Sequence, residues 1–346
     1  MKKILLLIML LGILALPVAA AEQTAPEVPK SGESYMPEDP QSFAEGVWYI
    51  LSRVLQQIKP NILKAVGLCV SLVAASLLTG TFHSFHSGTS KTAQLIATIF
   101  VGVILLAPSG TLIHLGVNTV SELSEYGKLL LPVMTTSLAA QGGVSTSAAL
   151  YAGTTVLCTV LTNLATKFIV PMLYIYLGVS IASCALEESM LGNLKKFVNW
   201  AITWSMKGVL YVFTGFLGIT GVVSGGVDAA AVKATKLAIS GSVPVVGGIL
   251  SDASEAVLVS AGVMKGAAGA YGILAMLAVF AEPFIRIGIQ YLLLKLTASI
   301  CDLFAPKGAS ALIQDYSGAM GMVLGLIGTV CLLLLISTVC FMKGIS

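Results

Sequence analysis

The chain has 346 residues, 56% of them apolar and 10% charged, with a mean hydropathy of +0.94 and a net charge of +3. A soluble domain is ordinarily about 45–50% apolar and about 25% charged, so the composition excludes a soluble globular fold and points to an all-α polytopic membrane protein. The positive excess is too small and too scattered for a nucleic-acid surface.

Residues 1–21 come first. Lys2 and Lys3 precede the apolar run Ile4 to Leu16, which ends in Pro17 and the small residues Val18 to Ala21. That is the basic, apolar, A-x-A order of a signal peptide, too short for a membrane span. Cleavage there would place the mature N-terminus outside the cytoplasm. No cysteine follows at position 22, which excludes a lipoprotein.

Residues 22–60 divide in two. Residues 22–45 are polar and carry Pro26, Pro29, Pro37 and Pro40 without apolar periodicity, so they read as a tether. From 43 to 58, Phe43, Val47, Ile50, Leu51, Val54, Leu55 and Ile58 recur at helical spacing. With Trp48 and Tyr49 this predicts an amphipathic helix lying at the membrane–water interface or packed on a partner protein.

Residues 61–346 form the transmembrane domain. Hydropathy marks spans at 62–80, 93–115, 147–166, 168–186, 200–223, 267–281, 284–304 and 318–342, giving about seven or eight. Two further stretches are apolar but too short to cross. One is 121–143, with Pro132 in the run Leu129 to Leu138. The other is 224–265, where Gly241, Pro244, Gly247 and Gly248 interrupt apolar residues and Ser251-Asp252 can cap a following helix. Both read as broken hairpins dipping part-way into the membrane, with interfacial helices joined by a turn as the alternative.

The prolines suggest a repeat. Pro132 precedes Pro171 by the same number of residues as Pro244 precedes Pro283. Spans two to four would then correspond to spans five to seven, and three spans per unit would make the repeat inverted, as in many secondary transporters. Other matches at this offset are few, so an accidental pairing stays open.

Charges inside spans are costly and therefore informative. Lys207 lies within span five, and Glu282 and Arg286 sit four apart around Pro283. One reading makes these three an intramembrane polar site. The other makes Glu282 and Arg286 an interfacial turn, with Lys207 snorkelling to the surface. Gly318, Gly321, Gly325 and Gly328 share a face of span eight, suited to close helix packing within the chain or in a homo-oligomer.

The six cysteines are dispersed through apolar segments and read as packing residues. His83 and His86 have no local acidic or thiol partner for a metal. No phosphate loop and no nucleophile motif occurs in the sequence, so no cofactor and no enzymatic activity are expected.

The order of features resembles the stage III sporulation protein AE family of endospore-forming Firmicutes. The resemblance is carried by Gly192-Asn193-Leu194-Lys195-Lys196, by Ser240 to Ala253 around Val243-Pro244-Val245, by Glu282-Pro283-Phe284-Ile285-Arg286, and by the leader. It covers most of the chain from about residue 45 and brings no catalytic motif. It implies a multi-pass protein of the mother-cell membrane around the forespore. There it would serve as the permease-like or export-platform part of a transenvelope channel complex needed for late forespore development. The implied partners are the lipid bilayer and sister proteins that include ring-forming subunits and an ATPase. A non-transporting scaffold of that complex and an autonomous secondary transporter remain the other readings.

Overall fold

A computed structural model describes residues 26–37, 42–85, 90–140, 144–186, 189–219 and 267–343, which are helical apart from short connections. Two small helices come first, α1 (Lys30–Glu33) and α2 (Phe43–Gln57). The long helices are α3 (Lys59–Phe85), α4 (Ser90–Ala140), α5 (Val144–Leu164), α6 (Val170–Leu186), α7 (Ser189–Ile219), α8 (Ala267–Cys301) and α9 (Lys307–Lys343). Among the described residues, five helical runs are long and apolar enough to cross a membrane: Lys59–Thr81, Gln94–Ala139, Ser147–Leu186, Gly269–Cys301 and Lys307–Met342.

Several expected breaks are absent. Span two and the stretch around Pro132 form one helix, α4, with Pro108 and Pro132 inside it. A mid-helix proline removes a hydrogen bond and costs about 3 kcal/mol. Against that, Leu130, Leu131, Met134 and Leu138 around Pro132 are all buried. Each such side chain contributes about 1.5–3 kcal/mol, so packing wins and the helix continues. Pro132 is therefore not the tip of a re-entrant hairpin. Spans three and four likewise join through a π-helical segment, Ala165–Ile169, and spans six and seven are the single helix α8 with Pro283 inside. Pro244, Gly247, Gly248 and Asp252 lie outside the described residues.

α9 is the central post. It is buried over most of its length and packs against α4, α8, α6, α5 and α7. Contacts along it set the direction of every neighbour. On α4, Gly127 comes against Leu334 at one level, and Thr98 lies beside Gly308 near the start of α9. Lys195 of α7 meets Asp315, and Met206 meets Gly325. Thus α4 and α7 run parallel to α9. Thr154 of α5 pairs with Ser337 and Tyr176 of α6 lies by Gly318. Ser317 donates to the Tyr291 carbonyl of α8 at 3.1 Å. Hence α5, α6 and α8 run the other way. Of the prolines paired in the sequence, Pro171 and Pro283 lie in helices that run the same way, α6 and α8, while Pro244 lies outside the described residues.

The segment expected as a free tether is docked on its own chain. α1 and α2 both pack along α8. Tyr35, Phe43, Ile50, Val54 and Ile58 are buried in the common core. At Gly32 and Gly46, added Cβ atoms would come within 2.8 Å of Val279 and 2.9 Å of Leu274, which is why these positions lack side chains. Ser42 caps α2, accepting from the Glu45 amide at 3.2 Å, the Ser-x-x-Glu start of a stable helix. The opposite face of α2 leaves Trp48, Leu51 and Leu55 exposed.

Candidate functional site

Glu282 and Arg286 occupy one face of α8, a turn apart on either side of Pro283. Their side chains pair at 3.6 Å, too long for a hydrogen bond but within ion-pair range, and both are partly buried. α1 crosses α8 at Val279, whose carbonyl loses its helical donor at Pro283. Ser31 of α1 donates to the Glu122 carboxylate of α4, so the N-terminal strap ties α4 and α8 together.

Tyr35 stands near this pair and outside the spans. Burial pushes its phenol above the ordinary 10.0, the Glu282 charge raises it further, and Arg286 opposes. The folded form therefore resists ionisation. Docking of the strap is fully stable below pH 10 and weakens as pH rises beyond it, because the undocked phenol ionises first. Limited proteolysis of residues 26–58 should accelerate as pH rises above 10, and Tyr35→Phe should remove that acceleration.

Beyond Arg286 the α8 surface opens into a cavity of about 300 Å³. Its walls are Ile58, Asn61, Ile62, Lys64, Ala65 and Leu68 at the α2–α3 junction, Pro108, Thr111 and Leu112 of α4, and Arg286, Ile289 and Gln290 of α8. Gln290 is 6% exposed, and its side-chain NH2 group has no hydrogen-bond partner among the described residues. A buried donor left unmade costs about 1–3 kcal/mol, so the position marks a place where an acceptor fits.

The level of this cavity follows from α3. Its span, Lys59–Thr81, has 23 residues, enough for one crossing of a hydrocarbon layer about 30 Å thick. Its start lies beside Arg286 and Gln290, and Gly80 near its end abuts the Phe304 carbonyl. The exposed apolar residues Leu292, Leu296 and Ile300 of α8, with Ile96, Ile99 and Phe100 of α4, belong to the stretches that run alongside. On α8 the residues before Glu282 are buried almost without exception. Arg286 therefore lies level with the start of the α3 span, and α4, α8 and α9 continue past it.

The expected three-residue cluster is not assembled. Lys207 lies on α7, which packs on α5, α6 and α9, whereas the cavity is walled by α2, α3, α4 and α8. The α9 glycines are engaged within the chain: Gly318 faces the Tyr176 hydroxyl and Gly325 faces Met206, while Gly321 and Gly328 continue the same helix. A second ionic site was missed by sequence reasoning. Lys195 Nζ donates to Asp315 Oδ2 at 2.8 Å, and the Cys184 thiol lies 3.6 Å from the same oxygen. Its only trace in sequence is one base and one acid, each in an early turn of a long apolar helix. The six cysteines are all free and buried.

The sequence profile of a family described as stage III sporulation protein AE matches residues 34–344. Stage III sporulation protein AE of Bacillus subtilis (strain 168) is 21% identical to the chain over 233 residues, which cover 67% of the chain and 58% of that protein. The match thus spans less than two thirds of that relative's length. No solved structure matches.

Proposed function

Because the chain belongs to the stage III sporulation protein AE family, we propose that it is the membrane base of a mother cell–forespore channel complex, a permease-like or export-platform component needed for late forespore development. The observation that supports this is the height of the bundle. α3 accounts for one crossing, yet the apolar runs of α4 and α9 are 46 and 36 residues long. At about 1.5 Å per residue they extend roughly 70 and 55 Å. Such a column carries a structured face clear of the lipid belt, on which ring-forming sister proteins and an ATPase could be seated. The polar cavity at Arg286 lies where that face begins.

A scaffold would offer the α9 glycine face and the amphipathic helix α2 to sister proteins. Gly318, Gly325 and α2 are occupied inside the fold, which favours the platform reading. The test is spore formation in an endospore-forming host whose own copy is replaced by Glu282→Ala or Arg286→Gln. Heat-resistant spores should fall sharply while protein amount and the co-purification of sister proteins stay normal. Loss of co-purification together with spores would make the protein a scaffold. Wild-type spore counts would remove the Glu282–Arg286 face from the function.

A further inference from the structure

The cavity beside Arg286 combines three features that point to one ligand class. Its polar wall is rich in donors. Lys64 is exposed at its rim, and Arg286 has five N–H donors of which the 3.6 Å pair with Glu282 occupies only part. Gln290 adds a buried, unpartnered NH2 group. Such a set favours an anion with several acceptor oxygens.

The remaining wall is apolar, formed by Ile62, Leu68, Leu112 and Ile289. The apolar span of α3 also starts at the cavity, which would set the site near one surface of the bilayer. Lipid phosphates sit at that depth, and their glycerol and acyl parts fit an apolar wall. We propose that the cavity binds a phosphate group, supplied by the headgroup of an anionic phospholipid. Glu282 does not oppose this, since it neutralises part of Arg286 and leaves Lys64 as the net positive charge. The proposal goes beyond the platform reading and does not require that anything be conducted.

The purified full chain would be reconstituted in nanodiscs of phosphatidylcholine alone or with phosphatidylglycerol. Its melting temperature and retained lipid, by native mass spectrometry, would be compared with Lys64→Gln and Gln290→Leu. Lys64 is exposed, so its replacement leaves the fold intact. Gln290→Leu removes an unpaired buried donor and should not destabilise the protein by itself. Phosphatidylglycerol should raise the melting temperature of the wild type, and each variant should bind it about tenfold more weakly, the loss of one charge-assisted or buried contact. If inorganic phosphate in phosphatidylcholine discs protects equally and with the same variant sensitivity, the anion site stands and the lipid source is withdrawn. Equal protection of wild type and both variants, or protection by neither phosphate nor lipid, overturns the proposal.

Discussion

Gly308→Leu is expected to eliminate folded protein from the membrane. An added Cβ at Gly308 would fall 2.5 Å from the Cys184 carbonyl oxygen and 2.7 Å from Thr98 Oγ1. The first is backbone in the last turn of α6 and cannot rotate away. α4, α6 and α9 meet at this point, so relief would require moving a whole helix. Overpacking in a dense interior costs about 1–3 kcal/mol for small insertions and more when backbone is struck. Gly308→Ala should survive with a melting temperature lower by about 2–10 °C in detergent. Gly67 supplies the control. It is exposed on α3, and nothing lies within 4 Å of its added Cβ. Gly67→Ala should therefore gain about 0.5–1 kcal/mol through helix propensity alone. Yield by fluorescence-detected chromatography and thermal melts would separate the three variants. Normal folding of Gly308→Leu would mean that the α4–α6–α9 junction is not as close as described.

Asp315→Ala is expected to lower the melting temperature by about 5–10 °C. Removing one partner of a buried pair strands the other charge, at a cost of about 3–5 kcal/mol. Lys195 and Asp315 are 23% and 13% exposed, so a loss of about 2–4 kcal/mol is the appropriate scale. The double variant Lys195→Met with Asp315→Leu should recover most of the loss, because two matched apolar side chains leave no stranded charge. If the double variant is as unstable as the single one, Asp315 acts through something other than Lys195.

What could be read along the chain is what neighbouring residues decide. Phe43 to Ile58 is an amphipathic helix because its apolar spacing is local, and Glu282 meets Arg286 because four residues make one helical turn. The long apolar runs are equally legible. Helix ends were not, because Pro132 and Pro283 weaken a helix locally while burial on α9 and its neighbours holds it together. Contacts between distant helices left no local mark either. Nothing near Lys207 states that α7 packs on α5, α6 and α9 and lines no wall of the Arg286 cavity, and nothing near Lys195 states that Asp315 lies across from it. The cavity depends on three segments meeting, and Lys64 and Gln290 become interesting only once they share a wall.

The docked strap has a consequence in time. Gly32 rests on Val279, roughly 250 residues further along the chain. A ribosome adds about 5–20 residues per second, so α1 and α2 wait on the order of 10–50 s for the helix they fold against. During that interval α2, with its buried residues Phe43, Ile50 and Val54, lacks its α8 partner. The strap is thus synthesised well before the helix it docks on, and any step that shortens the wait protects it from proteases.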